Sequence, residues 1–125
     1  MSDNVVFSYG RWQALSDGVL IDVSDLAREA GFRVPVAVTE AVYNNYLDPT
    51  LELCREGQSF QGRAWDLLHV LRFAAAIHPN NDTILFEVLF ILTPGCSPES
   101  VSLKAICGPG DEGEPVLTIL LPLED

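Results

Sequence analysis

Residues 59–93 place a strongly apolar helix pattern directly before a strongly apolar strand pattern. In "SFQGRAWDLLHVLRFAAAIHP", apolar residues recur every three or four positions, which predicts a helix over about residues 61–77 with Ser59 as its cap. The same pattern predicts that Trp65 is buried. In "TILFEVLFILT" apolar residues occupy both faces, which favours a central strand. A helix this apolar needs a surface to cover, and the strand supplies one.

The segments on either side extend this pattern to an α+β fold. Downstream, "VSLKAIC" and "PVLTILL" read as two more strands, and "PLED" as an exposed tail. Upstream, we expect weakly extended residues 5–13 and a hairpin in "RWQALSDGVLIDVS" that turns at Ser16-Asp17-Gly18. The chain of 125 residues then forms one domain, 1–125: an antiparallel sheet of three or more strands with two or three helices packed on it.

Shorter signals place the remaining helices. "DLAREAGF" predicts a short helix with Ser24 as N-cap and Gly31 as the C′ residue. A second helix begins either after Pro35 or at Thr39, and residues 50–60 form a loop or short turn.

The charge of the chain excludes several classes of function. The formal net charge is −11, and residues 73–125 hold eight acids against one base, Lys104. A binder of nucleic acid or of an anionic membrane needs basic groups, so neither is expected. The odd number of cysteines, without a signal peptide or a membrane-spanning apolar stretch, indicates free thiols in a reducing cytoplasm. Acidity can also serve only to keep the chain soluble.

The turn in "LKAICGPGDEGEPVLTILLP" has four interpretations. A phosphate cradle needs a following helix and basic groups, but a strand and three acids follow here. Three acids could bind a hard cation, although the spacing is not that of an EF-hand. Cys107 could be a nucleophile only beside a base, and it lies among acids. A hairpin turn, solvated or contacting a partner, is the interpretation we favour; we predict no metal and no cofactor.

A second pattern lies on the long helix. Arg63, Asp66, His69 and Arg72 recur every third residue, so successive members are neighbours on the helix surface. Asp66 could orient His69 as a general base, but a polar seam on a buried helix explains the same spacing.

Three segments resemble a family of small uncharacterised bacterial proteins that is often found on plasmids, phages and integrated elements. They are "SDGVLIDVSDLAREAGF", "GRAWDLLHVLR" and "LKAICGPGDEGEPVLTILLPLED". The resemblance implies a gene of mobile DNA, and it transfers no catalytic or binding residue.

Two functions follow as hypotheses. The first is a non-enzymatic acidic module, monomer or homodimer, that binds a basic protein surface, such as the nucleic-acid groove of a host defence complex. Its predicted partner-binding residues are Asp111, Glu112, Glu114, Glu124 and Asp125. An exposed Trp12 would also indicate an interface. The alternative is a small enzyme or ligand-binding protein that uses Asp66 and His69 near the Cys107 loop.

Overall fold

A computed structural model describes residues 10–124 of the chain. Its helices connect the strands of one sheet and pack against it. They are α1 Arg11–Ser16, α2 Ser24–Glu29, α3 Glu40–Val42, which continues as a π-helical turn Tyr43–Leu47, α4 Leu51–Arg55 and α5 Phe60–Ile77.

Within the described residues, five strands form a single mixed sheet. The strands are β1 Leu20–Asp22, β2 Val36–Thr39, β3 Thr83–Phe90, β4 Glu99–Pro109 and β5 Pro115–Leu120. They lie in the order β1-β2-β5-β4-β3, and β2 and β5 run parallel while all other neighbours are antiparallel. The predicted α+β class is confirmed, with one parallel pair that the sequence did not indicate.

The hydrophobic core lies between one face of the sheet and the helices α2 and α5. Alternate residues of β3 and β4 share this inner face, because Phe86 pairs with Leu103 and Val88 with Val101. Leu68 and Leu71 of α5 pack against them and are fully buried. Helix α2 covers the β2 side of this face and α5 the β3 side.

The predicted N-terminal hairpin is wrong, because Arg11–Ser16 forms helix α1. Gly18 has φ +78° and ends this helix: its N–H bonds to Leu15 O, and that of Val19 to Ala14 O. This bond pair is a Schellman motif, so the Asp-Gly signal marks a helix end instead of a strand turn. Of the predicted extended residues 5–13, those from 11 onward are helical and residues 5–9 lie outside the described part.

Helix α2 lies one residue from its predicted start. Val23 occupies the N-cap position, and the Ser24 hydroxyl instead donates to Asp22 Oδ1 and accepts from Val36 N–H. Ser24 therefore links the end of β1 to the start of β2. Gly31, at φ +106°, is confirmed as the C′ residue, and a Cβ there would lie 2.6 Å from Arg72 Cζ.

Thr39 is confirmed as the start of the next helix, since its hydroxyl accepts from Val42 N–H at 3.3 Å. The alternative start after Pro35 is wrong, because Val36–Thr39 is a buried strand. Residues 50–60 are also more ordered than predicted, because Thr50 caps α4 through the N–H of Leu53.

Two predictions for the central segment fail and one is confirmed. Ser59 caps α5 through Gly62 N–H at 3.0 Å, as predicted. Trp65, however, is 37% exposed, and β3 is an edge strand instead of a central one. The predicted exposed tail is confirmed at Pro122 and at Leu123, which is 97% exposed, whereas Glu124 is half-buried and accepts from Thr39 Oγ1 and from Leu121 N–H, each at 2.8 Å.

Candidate interaction surface

The glycine-rich turn is a hairpin loop between β4 and β5. Pro109 pairs with Pro115, and residues 110–114 connect the two strands. Gly110 N–H donates to Glu114 O at 2.6 Å, and Glu112 N–H donates to the Glu114 carboxylate at 3.0 Å. The loop therefore holds its own shape, and one of its acids contributes to that shape.

Asp111 of this loop binds the first turn of α1. Its Oδ1 accepts from Arg11 N–H at 2.7 Å, and its Oδ2 accepts from Trp12 N–H at 2.8 Å. The carboxylate thus caps a helix a hundred residues away in the sequence, in place of Gly10, which has no side chain. The two N–H groups, from Trp12 and Arg11 in that order, lower the pKa of Asp111 below its usual value.

Arg11 lies between the loop and the outer face of the sheet. Its Nη1 donates to Thr118 Oγ1 at 2.7 Å and its Nη2 to Leu117 O at 2.8 Å. Burial lowers the pKa of this guanidinium, while Asp22, Asp111 and Glu114 act in the opposite direction. Three carboxylates therefore lie within electrostatic range of a single internal cation, and the local charge is negative.

Trp12 is the most unusual side chain of this region, because 70% of its surface is exposed. Its backbone is fixed by Asp111, so the indole projects from an anchored helix turn. Its neighbour in the chain, Arg11, lines a cleft of about 630 Å³ on the outer face of the sheet. Arg11, Asp111, Leu20, Ile106 and Leu120 are among its lining residues. An exposed aromatic side chain on an anchored helix turn, one residue from a cleft with apolar and acidic lining residues, can contact part of another protein.

The five acids predicted to bind a partner do not form one group. Asp111, Glu112 and Glu114 lie in the loop before β5, whereas Glu124 follows the end of β5. Six residues in extended conformation separate these ends by about 17 Å. Glu112 and Glu114 are exposed, Glu124 is bonded to Thr39 and Leu121, and Asp125 lies outside the described residues.

The residues of the alternative function lie apart from this loop. His69 is on α5, its Nδ1 is 2.9 Å from Trp65 O, and its ring centroid lies 4.2 Å from that of Trp65 with the two planes tilted by 57°. It lines a shallow depression with Arg72, Phe73 and Ala76, whereas residues of α1, β1, β4 and β5 line the cleft at the Cys107 loop. The three cysteines are free and exposed. In residues 10–124, no three His, Cys, Asp or Glu side chains converge on a possible metal position.

Arg63 is a structural residue, although the sequence pattern grouped it with Asp66, His69 and Arg72 in one polar seam. It is 4% exposed, and it donates to Gln58 Oε1, Tyr46 O and Ile91 O. Burial lowers its pKa. The expected polar seam therefore holds Asp66, His69 and Arg72 only, since Arg63 turns inward.

Internal cations make the surface more acidic than the net charge alone implies. Arg63 is buried and Arg11 is half-buried, while the acids other than Glu124 are exposed throughout residues 10–124. Between side chains of those residues, a single ion pair falls within 4 Å, Arg28 with Asp25 at 3.2 Å. The negative field is thus left to act on the surroundings.

Residues 1–125 match the model of a family described as a family of unknown function, DUF6573. The chain belongs to this family. The resemblance to an uncharacterised family is confirmed, while the setting on mobile DNA stays a prediction. Curated proteins and solved structures gave no match to this DUF6573 chain. Within the described residues, its helices are all too short or too polar to cross a bilayer.

Proposed function

We propose that this chain is a non-enzymatic interaction module that binds a basic segment of another protein beside Trp12. The observation that carries the proposal is the 70% exposure of Trp12 on a helix turn that the acidic loop itself fixes. Since Asp111 holds the backbone of Trp12, the binding of a partner to the indole costs less backbone conformational entropy.

The chemistry of the surrounding residues selects a basic partner. Asp111 lines the cleft, Asp22 and Glu114 act electrostatically on its lining residue Arg11, and Glu112 is an exposed acid of the same loop as Asp111. The indole face can hold a guanidinium or ammonium group. Apolar side chains at the cleft floor, from Leu20, Ile106 and Leu120, can take an aliphatic stem or a neighbouring apolar residue. A peptide or surface rich in arginine, with apolar residues interspersed, matches this arrangement.

Proteins that bind nucleic acid present such surfaces, since they need basic groups to contact phosphates. An acidic module that occupies the nucleic-acid-binding groove of such a protein would compete with the nucleic acid. On a mobile element, a host defence complex would be the natural target of such competition. This part of the proposal rests on the charge and on the expected genetic setting.

A labelled deca-arginine peptide is a suitable probe, and binding is measured by fluorescence anisotropy. The double variant Glu112→Gln/Glu114→Gln and the variant Trp12→Ala should each weaken binding about tenfold, and the affinity should fall as salt rises. The control Glu52→Gln/Glu56→Gln changes the net charge equally on α4, and Phe73→Ala removes an aromatic side chain of 72% exposure. Equal losses in the test and control variants would show diffuse attraction to an acidic protein and would refute this site.

A further inference from the structure

Strand β3 leaves one side of its backbone open. Cys107 N–H donates to Asp82 O at 2.8 Å, which fixes the hydrogen-bonded pairs of the β3–β4 ladder. In an antiparallel ladder these pairs alternate, so Ile84, Phe86 and Val88 direct their backbone groups toward β4. The intervening residues Thr83, Leu85, Glu87 and Leu89 direct theirs outward. In the described part of the chain, β4 is the single neighbour of β3.

This edge lacks the usual features that keep another strand away. It is eight residues long, it contains neither proline nor lysine, and its one charge is Glu87. The Glu87 carboxylate accepts from Ser100 Oγ at 2.8 Å, which draws it over β4 and away from the edge. The opposite edge, β1, has three residues only and is protected by its shortness.

Apolar side chains flank the open edge on both faces of the sheet. On the outer face Leu85 is 68% exposed and Leu89 is 64% exposed. On the inner face, Trp65 and Arg72 of α5 lie toward α2. Ile77 is five residues after Arg72, which places it about 140° farther around the helix, on the side of the open β3 edge. Its side chain is 59% exposed.

We propose that β3 is the interface of a homodimer, in which it pairs antiparallel with β3 of a second copy. The preferred register places Phe86 on the two-fold axis, so that Leu85 faces Glu87 and Thr83 faces Leu89 of the other copy. Each of the four outward-facing residues then donates its N–H to the residue that it faces on the other copy and accepts a hydrogen bond from that residue at its C=O. The ladder gains about eight hydrogen bonds, close to the roughly ten that protein interfaces typically contain.

The symmetry of the pairing and the low charge of β3 make this edge suitable for a second copy. Two chains of net charge −11 can approach each other only where acids are few. Strand β3 is a long surface segment whose single acid, Glu87, is already hydrogen-bonded to Ser100. A register centred on Glu87 would place two carboxylates opposite each other, which is unfavourable. The register centred on Phe86 avoids that and uses every open backbone group. Counted over residues 10–124 of both copies, the resulting sheet has ten strands and ends on both sides in the short β1.

Sedimentation equilibrium of the full chain tests the dimer. The expected mass at high concentration is twice 13.7 kDa, and the dissociation constant should fall when salt is raised, because screening weakens the repulsion between like-charged copies. Leu89→Lys should raise the dissociation constant at least about tenfold, since an edge lysine opposes strand pairing and Leu89, 64% exposed, faces the uncharged Thr83 of the other copy. Leu51→Lys is the matched control, because Leu51 on α4 is 67% exposed and the charge change is identical. A monomer at all concentrations, or equal effects of the two lysines, would overturn the proposal.

A cross-link tests the register separately. In a chain with Cys54, Cys96 and Cys107 replaced by serine, a mixture of Leu85→Cys and Glu87→Cys proteins should oxidise to a covalent dimer. Facing residues of a hydrogen-bonded pair lie about 5.5 Å apart at Cα, within disulfide range. Cross-linking of Glu87→Cys alone, in place of the mixed pair, would refute the Phe86-centred register. Neither result depends on the peptide-binding proposal, since β3 and Trp12 are separate surfaces.

Discussion

Replacement of Arg63 by alanine is expected to remove a large share of the stability of this fold. Arg63 is 4% exposed and its guanidinium joins three separate segments: Gln58 before α5, Tyr46 in the π-helical turn and Ile91 after β3. Its charge lies 5.9 Å from the Phe90 ring centroid, which adds a cation–π contact. In the described residues its hydrogen-bond acceptors are neutral oxygens instead of carboxylates.

The magnitude follows from the groups that the substitution leaves behind. Two backbone carbonyls, of Tyr46 and Ile91, lose a charged donor in a partly buried setting, at about 1–2 kcal/mol each. Loss of the packed aliphatic stem adds to this, and relief from burying a charge subtracts from it. We therefore expect a loss of about 2–4 kcal/mol from a total that is typically about 5–15 kcal/mol.

Urea unfolding followed by circular dichroism measures this loss, and thermal unfolding should show a Tm lower by about 10 °C. Arg63→Lys keeps the charge but not the planar fork, so its loss should be intermediate. Arg55→Ala, an exposed arginine on α4, is the control and should change stability by less than about 0.5 kcal/mol. If Arg63→Ala unfolded at the same urea concentration as Arg55→Ala, the three-segment contact would contribute nothing and the argument would be wrong.

Three further results are expected. Folding lowers the pKa of Asp111, so its ionised carboxylate stabilises the fold at pH values above its ordinary pKa of 3.8, and this stabilisation is lost as the pH falls below 3.8. In Asp111→Asn, the Tm should therefore depend less on pH below about pH 4, as measured by thermal unfolding over a pH series. Leu71→Ala should cost about 2–5 kcal/mol in urea unfolding, and Trp65→Ala clearly less, because Leu71 is fully buried and Trp65 is 37% exposed. Replacing the three exposed cysteines by serine should leave the Tm nearly unchanged, and a large drop would show that a thiol packs in the core.

Local signals in the sequence determined the elements whose causes are local. Ser59 and Thr39 cap helices where the chain predicts it, Gly31 ends α2, and the alternating residues of β3 and β4 face the core as their period requires. These features depend on backbone bonds within a few residues, or on the two-residue period of a strand. Helix caps and strand periodicity can therefore be predicted from the sequence without knowledge of the tertiary structure.

Tertiary structure decided the features that depend on distant partners. The Asp-Gly signal at residues 17–18 suits a strand turn or a helix end, and α1 exists because Asp111 binds its first N–H groups from a hundred residues away. The apolar residues on both faces of β3 suited a central strand, but the parallel pairing of β2 with β5 left β3 at the edge. Arg63 and Arg72 belong to one three-residue spacing, but nine residues place them on opposite sides of α5, and Arg63 is buried because the carbonyls of Tyr46 and Ile91 accept its hydrogen bonds. A polar group is buried where a partner satisfies its hydrogen bonds, and the position of a distant partner is set by the fold as a whole.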